Sequence, residues 1–448
     1  MMISRRSLIG SAIASSALMA VASGRAFAQN TTAQAADNQP KLSASPSPIL
    51  LKNIVVGTAS APTDVLIAEG KIARTGHGLS AANAQSIDCT GCLLLPSFID
   101  THVHLDKTRF GAPERLHHIA TASVAERAAN ERKLRVELKH DPYLYGSNLV
   151  RQMAAMGTTH LRSHIDIDPL TKLSDVEALM RIREDFKGYM SMEFVAFPQS
   201  GIMKSPGVAD YMAQALDMGV EYIGGLDPQG FDNDRKGHLD VLFALAEKTG
   251  KPIDIHLHEP GQMGLASIKE IIIRGKALGM KDKITLSHAF SLGQISESEL
   301  NAVLADMADL GVRVIGTAPG NVGFPPIEPL LDAGILYAAA NDNIQDMWSP
   351  WGDGDQLQRA KTFAYSANYR ADAPLMRPFE MITRIPAQHI NLPNHGLEHL
   401  KEGNAANLVV LEASDVPAAV LYTPPRKLVF KDGIIIGRDG KSAIPQKI

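Results

Sequence analysis

The amino-acid sequence predicts an α/β protein, a (β/α)8 barrel with a small β-sandwich domain built from both chain ends. Three observations carry that expectation. Through the middle of the 448 residues, short apolar strand-like runs alternate with amphipathic stretches of helical period, the pattern of repeated βα units around a parallel sheet. Before and after that middle, the pattern changes to short β-type runs separated by tight turns. Several middle strands also end in polar residues, which in a barrel gather at the mouth where active sites form.

The chain begins with Ser4-Arg5-Arg6-Ser7-Leu8-Ile9, an Ala/Ser-diluted apolar run to about Val21, and Ala26-Phe27-Ala28. Paired arginines, a modest apolar region and a small-residue cleavage site in that order read as a twin-arginine signal peptide over residues 1–28. A periplasmic location is therefore expected, and a route that carries folded, cofactor-loaded proteins hints at a bound metal. Residues 29–47 are rich in Ala, Thr, Gln, Ser and Pro, a linker composition.

Residues 49–95 supply the first part of the sandwich, with strands expected at Ile49–Val56, Asp64–Ala68, Lys71–Ala73 after a Glu69-Gly70 turn, and Cys92–Leu95. Residues 396–448 supply the second, with Asn407–Leu411, Lys427–Phe430 and Ile434–Gly437, the last two joined by the hairpin pair Asp432-Gly433. Residues 96–395 form the barrel. Its strands are expected at Phe98–Leu105, Thr159–Ile167, Ser191–Phe197, Glu221–Leu226, Pro252–Leu257, Lys283–Ser287, Arg313–Thr317 and Leu336–Ala340. Helices such as Ser174–Phe186, Val208–Met218, Leu239–Lys248 and Ser267–Leu278 lie between them. A doubly wound sheet is disfavoured because no G-x-G-x-x-G follows a first strand and no P-loop occurs.

The formal charge is −4, and the leader holds Arg5, Arg6 and Arg25 without an acid, so removing it leaves a more acidic chain. No nucleic acid partner is expected. Beyond the first 30 residues no stretch of 18 apolar residues occurs, so no membrane span is expected in the mature chain. The two cysteines, Cys89 and Cys92, read as small packing residues.

The histidines decide the chemistry. His102 and His104 stand two apart at the end of the first barrel strand, so both project from one face. Asp254-Ile255-His256-Leu257-His258-Glu259 forms a second alternating polar row at the end of the fifth. Ser287-His288 ends the sixth and Asn341-Asp342-Asn343 the eighth. Polar residues on a barrel-interior face cost free energy unless they bind something. Two imidazoles from H-x-H, a third imidazole and a carboxylate suit one divalent metal ion, Zn2+ or Fe2+, with a position left for water. Such an ion lowers the pKa of its water to about 7, which makes hydrolysis the natural reaction class. His164 and Asp166 close the second strand and are expected beside the ligands. His117, His118, His140, His238, His389, His395 and His399 are expected at the surface, and Glu126–Lys139 as a solvated helix face.

The string Pro96-Ser97-Phe98-Ile99-Asp100-Thr101-His102-Val103-His104-Leu105-Asp106-Lys107-Thr108 resembles the metal-binding strand of the amidohydrolase superfamily, and specifically its cytosine deaminase-like branch. Three further segments agree: Val195–Ile202, His256–Glu259 and Asp342–Trp348. The resemblance runs over about residues 49–445, and Gly403–Leu411 is similar to the return into that family's β-sandwich. It implies a distorted TIM barrel in which His102, His104, His256 and Asp342 hold one metal. By the same resemblance Glu259 is the proton shuttle, His288 orients the attacking hydroxide, and Asp342 passes a proton to the departing amine. Gln199 hydrogen-bonds the substrate ring, Phe197, Asn343 and Trp348 line the pocket, and Asp346 braces the Trp348 loop. No lysine replaces Gln199 and none ends the fourth strand, so a carboxylated lysine between two metals is not expected. The implied activity is a metal-dependent aminohydrolase, a deaminase releasing ammonia from an aminated N-heterocycle such as a pyrimidine or triazine, in a homo-oligomer acting on a small molecule. The alternative is cleavage of a cyclic or linear amide or urea, and a non-catalytic periplasmic binder would have no use for Glu259 and His288. His258 and Asn343 stand where cytosine deaminases carry acids, which points away from cytosine itself.

Overall fold

The computed structural model describes residues 47–114, 123–320 and 322–446, so the leader and nearly all of the linker lie outside the described residues. Eight parallel strands succeed one another in the sheet in chain order: Phe98–Val103 (β1), Thr158–Asp166 (β2), Ser191–Phe197 (β3), Tyr222–Leu226 (β4), Ile253–His256 (β5), Ile284–Ser287 (β6), Arg313–Gly316 (β7) and Tyr337–Ala339 (β8). A parallel neighbour needs a crossover, and helices supply most of them, as in Ser174–Asp185 between β2 and β3 and Arg235–Thr249 between β4 and β5. Helix Glu297–Leu310 shows why these segments are helical. Ser296 and Glu299 form a reciprocal cap at its start, Gly311 ends it at a φ of 68°, and Leu300, Val303, Leu304, Met307 and Leu310 bury one face.

The barrel closes at its mouth. The backbone N–H of Asp342, just past β8, donates to the carbonyl of His102 on β1 at 2.8 Å, and the Asn341 side chain donates to Asp100 at 2.8 Å. Closure thus joins two of the expected metal ligands through the main chain. After β8 the chain adds helices Gln356–Ser366, Asp372–Glu380 and Arg384–His389, which the sequence reading left unassigned.

The two chain ends meet in one nine-stranded mixed sheet. Its junction is the antiparallel ladder between Cys92–Pro96 and Leu408–Glu412. Alternation explains how a single sheet serves two cores. Leu94, Leu408, Val410, Leu428 and Phe430 face a core of the sheet's own, together with Cys89 and Cys92, which are unbridged. Leu93, Leu95, Val409, Leu411 and Val429 face the barrel core. Both expected turns are present with left-handed backbone, Glu69-Gly70 at φ 52° and 76° and Asp432-Gly433 at 48° and 75°.

Some polar segments differ from expectation. His238, His389 and His395 are buried, because each ring has a protein partner in place of water: Asp232 at 2.7 Å, the Leu336 carbonyl at 2.9 Å and the Ser97 carbonyl at 2.8 Å. His117 and His118 lie outside the described residues. Helix Val124–Glu137 (α1) is not simply a solvated face, since Glu131 and Arg135 are buried. Among the described residues no helix is long and apolar enough to cross a membrane.

Leu94→Ala, at a fully buried site, is expected to cost about 2–5 kcal/mol of unfolding free energy in denaturant titration. Tyr422→Ala, at a side chain 77% exposed, is expected to stay within about 0.5 kcal/mol.

Candidate metal centre and active site

The strand ends place His102, His104, His256 and Asp342 in one buried cluster. His102 and His104 leave β1 on one face, His256 ends β5, and Asp342 follows β8. His102 Nε2 lies 3.5 Å and His104 Nε2 3.3 Å from Asp342 Oδ1, and His256 Nε2 lies 3.4 Å from His104 Nε2. Tetrahedral donors around an ion at about 2.0–2.1 Å stand about 3.3–3.4 Å apart. These three spacings match those of donors around one small divalent cation, and the three histidines also group with His164, their ligand atoms within 4.8 Å of one another.

The protonation states agree. A fixed chain starts at Arg162, which donates to Asp254 at 3.1 Å, while Ser287 Oγ donates to Asp254 at 2.7 Å and lies 2.9 Å from His102 Nδ1. A hydroxyl that gives its one hydrogen to Asp254 can only accept from His102, so the ring carries its proton on Nδ1. That leaves a lone pair on Nε2, which is buried with no hydrogen-bond partner. Burial holds the His104 and His256 rings well below the usual histidine range, so they too are neutral. Burial opposes ionisation of Asp342, yet the facing His102 and His104 rings outweigh it and hold the carboxyl well below the ordinary carboxylate range. Neutral imidazole lone pairs facing a carboxylate repel unless a cation stands between them.

His164 joins the cluster, its ring 4.0 Å from that of His102 and its Nε2 3.5 Å from Asp254 Oδ1. Burial first, and then neighbouring His102, lower its pKa to about 4. From the sequence Asp254 is expected only as part of a polar row, and no role is expected for Ser287 or Arg162. The spacing Asp254-x-His256 was the available signal, because it puts both residues on one face of β5.

Around this centre the expected site residues separate into two groups. His288 stands at φ 69°, a strained value for a side-chain-bearing residue. Its ring is 5.0 Å from His102 and 5.1 Å from His256, and both ring nitrogens lack protein partners. His258 stacks on His288 at 4.3 Å, with Nδ1 2.8 Å from Asp227. Glu259, the expected shuttle, is buried and hydrogen-bonded through both oxygens. Its Oε1 accepts from the backbone N–H groups of Gln229 and Gly230 at 2.6 and 2.9 Å, and its Oε2 accepts from Ser267. Three donors fix this carboxylate against the β4 loop, so it orders the segment while His258 faces His288.

Phe197 stacks on the His256 ring at 4.0 Å. Trp348 packs against the cluster that contains Phe197, and Asp346 holds its loop by accepting from the N–H of Trp348 and of Ser349 at 2.7 and 2.8 Å. Burial pushes the Asp346 carboxyl up to about 8. Gln199 is buried, and its Oε1 accepts from Lys107 Nζ at 2.9 Å. Asn343, beside Asp342, has a buried carbonyl oxygen without a partner. The sequence reading gave Lys107 and Glu131 no role. Lys107 sits 3.2 Å from Asp166 and 3.6 Å from Glu131, and Glu131 accepts from the Trp348 indole.

A barrel whose mouth gathers neutral imidazoles and a carboxylate at ligand spacing is a hydrolase of the metal-dependent barrel class. The chain belongs to the amidohydrolase family, whose model matches residues 143–436. It is similar to the structure of N-isopropylammelide isopropylaminohydrolase from Burkholderia multivorans, with 37% identity, a TM-score of 0.83, and coverage of 89% of this chain and 100% of that one. It is 29% identical to the N-isopropylammelide isopropyl amidohydrolase of Pseudomonas sp. (strain ADP), over 87% of this chain and 97% of that protein. It also shares the fold of 5-methylcytosine deaminase from Klebsiella pneumoniae, with 23% identity, a TM-score of 0.75, and coverage of 87% and 98%.

Ser287→Ala is expected to lower divalent-metal affinity about 10–100-fold by releasing His102 Nδ1. Elemental analysis after dialysis against graded chelator reads this directly, and unchanged retention would refute the tautomer assignment.

Proposed function

We propose that this protein is a metal-dependent aminohydrolase that releases ammonia or a small amine from an aminated N-heterocycle of the pyrimidine or triazine kind. The observation that carries the reading is the convergence of His102, His104, His256 and Asp342 at ligand spacing beside the aromatic side chain of Phe197. The relatives from Burkholderia multivorans and Pseudomonas, which act on N-isopropylammelide, support it.

A cation held by His102, His104, His256 and Asp342, Zn2+ or Fe2+, would supply Lewis acidity for hydrolysis near neutral pH. Phe197 and Trp348 wall the ring, Gln199 bonds one edge of it, and Asn343 offers an acceptor. Asp342 takes the second proton of the attacking water and hands it to the departing amine, whose nitrogen must leave as a neutral group. His288 hydrogen-bonds the charge that develops at the attacked carbon. The ring nitrogen gains a proton as that carbon becomes tetrahedral, and His258, backed by Asp227 and stacked on His288, takes the first proton of the attacking water and delivers it there. Glu259 holds the β4 loop in register for this.

We also propose that residues 1–28 export the folded, metal-loaded chain to the periplasm and that the mature enzyme is a homo-oligomer. Replacing Arg5 and Arg6 together by Lys is expected to leave the protein in the cytoplasmic fraction, and unaltered export would refute the leader assignment.

Two variants compared in an ammonia- and amine-release assay on alkylamino- and aminotriazines test the catalytic assignment. His258→Asn is expected to retain metal and lose at least about 10²-fold in kcat. Glu259→Gln, whose amide still accepts from two backbone N–H groups, is expected to stay within about tenfold. The reverse ranking would return the proton to Glu259.

A further inference from the structure

We propose that Cys89 and Cys92 are a modification site: on meeting a disulfide oxidant, the two thiols close into an intrachain disulfide across the 89–92 turn. The bond staples the sheet where the two chain ends join. It goes beyond the metal-centre chemistry and does not depend on it.

Local backbone brings the pair together. The Cys92 N–H donates to the Cys89 carbonyl at 2.9 Å, so the four residues form a tight turn, with Gly91 at φ 77° supplying its left-handed step. Such a turn holds its first and last Cα atoms within about 7 Å, and a disulfide spans about 4.4–6.8 Å. Direction agrees with distance. Cys92 and Leu94 stand two apart on one strand, and both face the core that Cys89 also enters. The cysteines are buried, yet Thr90 and Gly91 between them are exposed, and nothing lies within 4 Å of where a Cβ on Gly91 would stand. An oxidant therefore meets the pair through the turn, without passing the core.

The surroundings assign an order to the two thiols. Lys427 Nζ lies 3.8 Å from Cys92 Sγ and donates to the Asp88 carbonyl at 3.0 Å, which fixes the ammonium beside that sulfur. Burial pushes the Cys89 thiol up to about 11; it raises Cys92 too, but there Lys427 opposes it. The thiolate is the attacking form, so Cys92 starts the exchange. With oxidised glutathione, the Cys92 thiolate attacks one sulfur and releases one glutathione thiolate, leaving a mixed disulfide. Cys89 then gives its proton to solvent and attacks the Cys92 sulfur, and the second glutathione leaves. The protein loses two electrons and two protons, and one glutathione disulfide becomes two thiols. The bond then ties two layers of the sheet. The Cys89 N–H donates to the Lys52 carbonyl on Ile49–Val56, and Cys92 opens the strand that pairs with Leu408–Glu412.

The experiment places the whole metal-loaded enzyme in glutathione buffers of graded ratio, then quenches with acid, unfolds, labels with N-ethylmaleimide and measures mass. The chain has only two cysteines, so the labels count this pair. Two labels are expected in reduced glutathione and none in excess oxidised glutathione, with no glutathione retained and the mass of a single chain. Two labels throughout, glutathione that stays on the wild type, or a disulfide between two chains would overturn the proposal. Cys89→Ser is expected to retain one glutathione on Cys92, and Cys92→Ser to react at least about tenfold more slowly. Lys427→Met is expected to slow closure by about threefold or more and to leave its endpoint unchanged. Equal rates in the two serine variants would overturn the order of attack. The oxidised wild type is expected to unfold at a higher denaturant midpoint than the reduced one, and an equal or lower midpoint would refute the staple. If a serine variant does not fold, the label count and midpoints of the wild type decide alone.

Discussion

Three imidazoles and one carboxylate face one another at the barrel mouth, with His102 and His104 Nε2 3.5 and 3.3 Å from Asp342 Oδ1 and His256 Nε2 3.4 Å from His104 Nε2, and the rest of the barrel is organised around keeping them there. Such a cluster is repulsive by itself, so its geometry must be imposed from outside. The main-chain bond from Asp342 N–H to the His102 carbonyl does part of this, because barrel closure and ligand placement are one contact. The Arg162–Asp254–Ser287 chain does more, since it fixes both the rotation and the tautomer of His102 from the floor below.

Backbone strain marks the same places. Asp342 and His288 both adopt left-handed φ values, 62° and 69°, which a side-chain-bearing residue takes only when its surroundings over-determine it. Asp342 is fixed by the seam and by the Asn341–Asp100 bond beside it. His288 is fixed by its own N–H, which donates to the Ile315 carbonyl on β7. Strand pairing therefore supplies the free energy that holds two site residues in conformations the chain would otherwise avoid.

How much of this was legible in the sequence follows from the range of the interactions. The eight strands were readable because alternation and apolar runs are local, and the runs at Ser191–Phe197 and Ile49–Val56 match the structure at both ends. The H-x-H pair, His256, His288 and Asp342 were readable because each closes a strand, and strand ends converge by topology alone. The surroundings were not. Glu131 and Arg135 belong to a helix whose composition reads as solvated, and only the fold brings Lys107, Asp106, Asp166 and Asp175 around them. His389 and His395 were misplaced for the same reason, since a buried partner far along the chain leaves no local trace. The capture of Glu259 by two backbone N–H groups is likewise a property of the β4 loop, not of the residues flanking the glutamate.

The wall beside the metal cluster is built on unequal charge. Among the described residues the ion pairs of Glu131, Asp106, Asp166 and Asp175 run to Lys107 and Arg135, and all six side chains are buried. Crowded acids in low dielectric compete for the available cations, and burial pushes Asp175 up to about 6 and Asp166 well above the usual range. The same excess acts on Lys107 in the opposite sense. Burial disfavours its charge, yet Asp166, Glu131 and Asp106 outweigh that and hold the ammonium above its ordinary range. The surplus carboxylates thus favour the protonated Lys107, and with it the orientation of Gln199. A neutral amine there could accept as well as donate, and the amide would lose its direction.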